Sequence, residues 1–203
     1  MRKEHPVSSI DAAPDLQAER IGGRIRSLRH ARGYTLVQLA ESADLSHPFL
    51  SQLERGLARP SIASLEKIAR ALGSSQIELL AAADDEARPE LQEAPFVVVR
   101  AEEGSRGRYS EGEARMLVHG RRAFHPMEIT GSNREFGDTF EHQEDEFVFV
   151  LGGRVVVDLG ENGLHELRTG DAMYFAGGTV HRWRASDGTG YRILVVKEHP
   201  ARL

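Results

Sequence analysis

Apolar residues recur at three- and four-residue intervals from residue 16 to residue 83, and at two-residue intervals beyond residue 96. The chain is therefore predicted to be helical first and β-stranded afterwards. In the helical part, Ile21, Ile25 and Leu28 share one face, while Arg24, Arg26, Arg29 and Arg32 lie mostly on the other. Gly33 stops this helix, and Thr35 is placed to cap a second one running through Leu36, Leu39 and Ala40. Asp44-Leu45 makes a short turn. Ser46 caps a third helix that tolerates Pro48 in its first turn, and Gly56 ends it. Pro60-Ser61 opens a fourth helix carrying Ile62, Leu65, Ile68, Ala69 and Leu72, closed by Gly73; Ser75 caps a last helix over 76–83.

The β pattern is made of short pieces. Strands are predicted at 96–99, 114–118, 126–129, 139–142, 164–167, 172–175, 180–185 and 191–196. Residues 146–151 and 154–159 flank Gly152-Gly153, which reads as a two-residue hairpin turn, and Asn162-Gly163 marks another turn. Many short strands with glycine turns indicate a sandwich or barrel. Residues 84–95, DDEARPELQEAP, are charged and proline-containing and read as a linker. Residues 1–17, with Pro6 and Pro14, read as a disordered tail. The expected organisation is an α+β multidomain chain: tail 1–17, all-α five-helix domain 18–83, linker 84–95, all-β domain 96–198.

Composition narrows this. The 203 residues are 40% hydrophobic and 28% charged, the balance of a folded soluble protein. No apolar run approaches the roughly 18 residues that a membrane span needs, and the N-terminus lacks the apolar core of a signal peptide. Cysteine is absent, which excludes disulfides, thiolate metal sites and thiol nucleophiles. A cytoplasmic protein with no membrane partner is expected. The net charge of −5 averages unlike parts: −2 over residues 1–19, +5 over 20–73 and −8 over 74–203. A basic module that meets a polyanion, joined to an acidic one, is the implied arrangement.

The basic module has the layout of a helix–turn–helix. Leu39, Ala40, Ala43, Leu45, Leu50 and Leu53 supply the contact between two helices, and Ser46, His47, Pro48, Ser51 and Gln52 face outward. Q-L-A at 38–40, S-Q-L-E-R-G at 51–56 and P-S-I-A-S-L-E-K-I-A-R-A-L-G at 60–73 together resemble the Xre/Cro/C1 phage-repressor family over about fifty residues. The resemblance implies a lambda-repressor-like fold whose recognition helix runs over 46–55. It places base contacts on His47, Pro48, Ser51 and Gln52, with Gln38 buttressing from the second helix. Gln can pair with adenine through two hydrogen bonds, whereas Pro48 offers only apolar contact. Arg32, Arg55 and Arg59 are the expected phosphate partners.

The acidic module carries HQEDEFVFVLGGRVVVDLG and GDAMYFAGGTVHRWRA. These resemble the two motifs of the cupin family, with His142, Glu146 and Gly153 matching the first and Gly170, Gly178 and His181 the second. Phe140 stands where the family has its first histidine, and Ala176 where it often has proline. The resemblance implies a double-stranded β-helix over about 96–198 with a ligand-sized interior. His142, Glu146 and His181 would form a two-histidine, one-carboxylate set suited to a divalent transition metal, Fe, Mn, Ni or Zn. A pocket without metal stays open beside that reading, with Glu141, Glu144 and Asp145 as a solvated strand edge. Phe140, Arg115, Tyr109, Phe149 and Trp183 are the expected effector-pocket residues; no catalytic residue is assigned.

The expected function is a one-component transcriptional regulator. A homodimer or higher homo-oligomer would read a palindromic operator in double-stranded DNA, and the cupin domain would bind a small-molecule effector. The alternative is an epoxidase-like mononuclear iron oxygenase using His142, Glu146 and His181.

Overall fold

A computed structural model describes residues 15–86, 94–109, 111–120 and 122–198. The N-terminal part is a five-helix head: α1 (Leu16–Ala31), α2 (Leu36–Ser42), α3 (His47–Glu54), α4 (Ile62–Ala71) and α5 (Gln76–Glu86). Each start is set by a side-chain cap. Asp15 accepts from the Ala18 amide, Thr35 from Gln38, Ser46 from Phe49 and Ser61 from Ser64. Gly33, Gly56 and Gly73 close helices with positive φ, and Asp44 adopts φ 49° at the turn between α2 and α3. Ile25, Leu28, Leu39, Leu50, Leu53, Ile68 and Leu72 form the head's core. Arg29 of α1 and Glu54 of α3 make a buried ion pair, with Nε 2.7 Å from Oε1 and Nη2 2.9 Å from Oε2.

The expected boundaries shift at both ends of this head. Asp15 to Gln17, placed in the tail by sequence, cap and begin α1; the rest of that tail lies outside the described residues. Asp84–Glu86, placed in the linker, continue α5, and residues 87–93 lie outside the described residues.

The second part is all-β and antiparallel: β1 (Arg106–Tyr109), β2 (Gly112–Met116), β3 (Phe124–Gly131), β4 (Glu146–Asp158), β5 (Leu164–Arg168), β6 (Ala172–Phe175), β7 (Arg182–Ala185) and β8 (Tyr191–Glu198). The hydrogen-bonded order β1-β2-β3-β8-β4-β5, with β6 and β7 also on β4, closes two layers around one core. The predicted hairpin at Gly152-Gly153 is instead one continuous strand. Its first half pairs with β6 and β8, and its second half with β5 and β7, with a register shift between Val150 and Gly152. Gly153 has φ 75°, and a Cβ there would stand 2.1 Å from the Gly190 carbonyl. The glycine pair is thus a bulge that passes the strand from one layer to the other. Residues 96–99 form no strand, and 139–142 contribute only the Phe140–His181 bridge.

Helix α5 belongs to both halves. Ile77 and Ala81 sit in the barrel's core, while Leu79 and Ala83 sit in the head's.

Candidate functional site

Two sets of side chains carry chemistry, one exposed on the head and one enclosed by the barrel. On α3, His47, Pro48 and Gln52 are exposed and Ser51 is half-buried. Ser46 is exposed while its hydroxyl caps the helix. The three-and-four spacing that buries Leu50 and Leu53 against the head's core turns these polar positions outward together. Gln38 is exposed one helix away and completes a capping box with Thr35. Arg55 bonds the Ser51 carbonyl at 3.1 Å and Arg59 pairs with Asp15; both guanidinium groups remain at the surface. Arg32 is elsewhere. Its side chain is 9% exposed and grips Glu144 of the barrel and the Leu72 carbonyl. The expected phosphate contact gives way to a contact between the two halves.

In the barrel, Glu146 begins β4, His142 lies four residues before it, and His181 is held opposite Phe140 by two backbone hydrogen bonds of 2.8 and 2.9 Å. His142, Glu146 and His181 are 6%, 0% and 0% exposed, and one ligand atom from each lies within 4.8 Å of the others. Their hydrogen bonds fix what each atom can offer. His142 Nδ1 donates to the Glu144 carbonyl at 3.0 Å, and His181 Nδ1 to the Thr179 carbonyl at 2.9 Å. His181 then presents Nε2 to the interior without a partner, whereas His142 Nε2 lies against Glu146.

His142 Nε2 stands 2.9 Å from Glu146 Oε1, and His181 Nε2 stands 3.7 Å from Glu146 Oε2. Glu146 Oε2 and His181 Nε2 have no hydrogen-bond partner. Acceptors that converge in a water-poor interior without donors are costly unless a positive species lies between them. Two ligands at right angles on a cation with bonds of about 2.1 Å stand roughly 3 Å apart, and the His142–Glu146 gap matches. The three residues fit a divalent cation.

Electrostatics act on Glu146 and His181 in turn. Burial pushes the Glu146 carboxyl up, but the His142 hydrogen bond and the charges of His181 and Lys197 outweigh it, holding the pKa below the ordinary value. Burial holds His181 below its ordinary value, which favours the neutral ring. A carboxylate and a neutral imidazole are what a cation requires.

Of the expected effector residues, Tyr109, Phe140 and Trp183 surround this centre. Tyr109 stacks on Phe140 and Trp183 at 5.5 and 5.8 Å between ring centroids, and Trp183 stacks on His181 at 5.9 Å. Arg115 and Phe149 point the other way. Each lies between two buried neighbours of its strand, Ala114 and Met116 or Val148 and Val150, so strand alternation puts it on the outer face. Arg115 pairs there with Glu128 at 2.9 Å.

Glu144, read from sequence as a solvated edge, is 3% exposed. It shares parity with His142 and Glu146, and that signal could have placed it inward. Lys197, also buried, is the cross-strand partner of Glu146.

The helix-turn-helix domain family matches residues 20–83, and the cupin domain family matches residues 127–197. An uncharacterized HTH-type transcriptional regulator, y4dJ of Sinorhizobium fredii (strain NBRC 101917 / NGR234), is 34% identical over 65 residues, spanning 32% of this chain and 84% of that protein. The chain belongs to the helix-turn-helix transcriptional regulators. It is an Xre-like member with a C-terminal cupin domain.

The HTH-type transcriptional regulator PuuR of Escherichia coli (strain K12) is 25% identical over 177 residues, covering 85% of this chain and 91% of that one. Several phage and bacterial regulators match the head alone, and the chain spans 36–44% of their length. A solved HTH_3 family regulator from Vibrio cholerae superposes with a TM-score of 0.56 at 21% identity, over 93% of this chain and all of that one, a likeness of fold. No helix among the described residues of this regulator is long and apolar enough to cross a membrane.

Proposed function

We propose that this regulator reads operator DNA with α3 and that a small ligand in the barrel, held through a divalent transition metal, modulates that binding. The observation that carries the reading is the convergence of the buried His142, Glu146 and His181, in which Glu146 Oε2 and His181 Nε2 have no hydrogen-bond partner, in a chain that exposes His47, Pro48 and Gln52 on α3. His47, Pro48, Ser51 and Gln52 would meet base edges. Arg55 and Arg59 would meet phosphates, which position the head without specifying sequence. Three protein ligands leave coordination positions open, where an effector oxygen or nitrogen can bind beside the wall of Tyr109, Phe140 and Trp183.

The reading includes a homodimer, because a palindromic operator needs two heads. The outer face of β3, β8, β4 and β6 suits a second copy. Pro126, Val196, Phe147 and Tyr174 form one cross-strand row, with Leu194 and Phe149 in the next. Asp145 and Glu198 lie at one end of this face, and Arg192 and Arg115, sharing Glu128, at the other. A two-fold axis would set the acidic end against the basic end.

Selection of genomic fragments by the purified chain, with and without Mn(II) or Zn(II) and across a salt series, tests the reading. Salt-dependent enrichment of a palindrome that responds to the cation is expected; absent or salt-insensitive binding sinks it. The same centre has the ligand set of mononuclear iron oxygenases. Stoichiometric iron with oxygen consumed on turnover would replace sensing by catalysis.

A further inference from the structure

We propose that Glu144 and Lys197 make the barrel centre a control point for the head, so that occupancy of His142, Glu146 and His181 sets how firmly the head is latched to the barrel. The inference rests on the cation-binding reading above and concerns how its effect leaves the barrel. The junction converges on the C-terminal end of α4. Arg32, at the C-cap of α1, takes Glu144 with two nitrogens, at 2.7 and 2.9 Å, and its Nε donates to the Leu72 carbonyl at 3.0 Å. Lys197 of β8 donates to the Gly73 carbonyl at 3.2 Å and stands 3.3 Å from Glu78 of α5. Both pairs are nearly sealed, with side-chain exposures of 9% and 4% for Arg32 and Glu144, and 4% and 9% for Lys197 and Glu78.

Each barrel partner is tied directly to the centre. Glu144 lies between two of the three candidate ligands in sequence, and its carbonyl receives the His142 Nδ1 proton. Lys197 faces Glu146 across the β4–β8 ladder. The head also rests on His142 itself, since a Cβ at Gly73 would stand 2.9 Å from His142 Cβ. Residues 142–146 are therefore at once the ligand segment and the seat of the head. Without a cation, Glu146 Oε2 and His181 Nε2 face each other at 3.7 Å with no hydrogen-bond partner, and His142 leans on Glu146 Oε1 at 2.9 Å. A bound cation adds the missing attraction, orders the segment and, through it, Leu72 and Gly73.

The chain contains no cysteine, so Glu41→Cys on α2 and Leu164→Cys on β5, both exposed positions, can carry a pair of spin labels that also block the thiols. Zn(II) is the probe, with its binding followed by calorimetry. The expected result is a narrower head–barrel distance distribution on Zn(II) addition and a change of about 5- to 150-fold in affinity for selected DNA. Removing one partner of a buried pair threatens the fold, so the test variant replaces both, Arg32→Met with Glu144→Gln. It should bind Zn(II) within about threefold of the parent, a difference under 1 kcal/mol, and show neither the narrowing nor the change in DNA affinity. Narrowing that persists in the double variant, or Zn(II) binding to the parent without narrowing, overturns the latch alone. Absence of Zn(II) binding to the parent overturns the reading of the centre, and the latch with it.

Discussion

Helix α3 holds its functional side chains out in solvent, whereas the barrel holds His142, Glu146 and His181 at 6% exposure or less. The two sites therefore fail in different ways. An exposed site can lose a side chain without disturbing the fold, because nothing is left buried and unpaired. A buried polar site cannot: each of its atoms depends on a partner, and a missing partner costs the desolvation of the one that remains. The head is not purely a surface device, though, because a buried pair of its own, Arg29 and Glu54, ties α1 to α3. The largest effect is expected there. Arg29→Ala leaves Glu54 buried without its guanidinium and should cost about 3–5 kcal/mol, read as a lower denaturation midpoint with DNA binding lost. A cost under about 1 kcal/mol would mean that the pair is solvated in the working molecule.

The second expectation concerns the junction and comes from pH. Burial pushes the Glu78 carboxyl up, but the Lys197 ammonium, with His125, Ser75 and His142, outweighs it and holds the pKa at about 2, below the ordinary 4.5. A depressed carboxyl stabilises the fold fully above its unfolded value and loses that contribution as pH falls through the folded one. Stability should thus erode between about pH 4.5 and 2, by on the order of 3 kcal/mol from this group. Denaturation midpoints across that window, compared with those of Glu78→Gln, isolate it. Equal slopes in parent and variant would show that Glu78 does not carry the acid sensitivity.

The contrast between local and distant partners also explains what could be read before the fold was known. Helix starts at Thr35, Ser46 and Ser61 were legible because the cap and the amide it receives are three residues apart. Interior strand parity was legible wherever apolar residues alternate, as along β8. Arg32 was not, because the barrel partner that it grips, Glu144, is 112 positions away. Gly152-Gly153 met the local rule for a hairpin, and a carbonyl from Gly190 turned it into a bulge. The triad was legible only through its resemblance to a family. Its fitness for a cation rests on Nδ1 hydrogen bonds and on orphaned atoms, which spacing does not encode.

The third prediction tests whether α3 is separable from the fold. Gln52→Ala should leave the denaturation midpoint unchanged and cost about 1–3 kcal/mol of discrimination at one base pair. Arg55→Ala should weaken all DNA sequences alike and lower the salt slope by about one. Binding to a panel of single-base operator variants at two salt concentrations distinguishes the two. If Gln52→Ala weakened every variant equally, Gln52 would be positioning the head and not reading sequence.

The smallest effect bears on Gln38, which stands between the two kinds of site. Its side-chain oxygen accepts from the Thr35 amide at 2.8 Å, and its own amide donates to the Thr35 hydroxyl at 3.2 Å. That is a structural duty performed by an exposed residue expected to lie beside DNA. Gln38→Glu keeps an acceptor for the Thr35 amide and places a negative charge near the start of α2, where the helix dipole favours it. Stability should stay within about 0.5 kcal/mol of the parent, while DNA affinity falls because a carboxylate now faces phosphates. Gln38→Ala should instead lose about 0.5–1 kcal/mol with the cap and weaken DNA binding less than the charged variant does. If Gln38→Glu bound DNA as well as the parent, the groove would lie farther from α2 than the displayed face of α3 implies, and Gln38 would serve the fold alone.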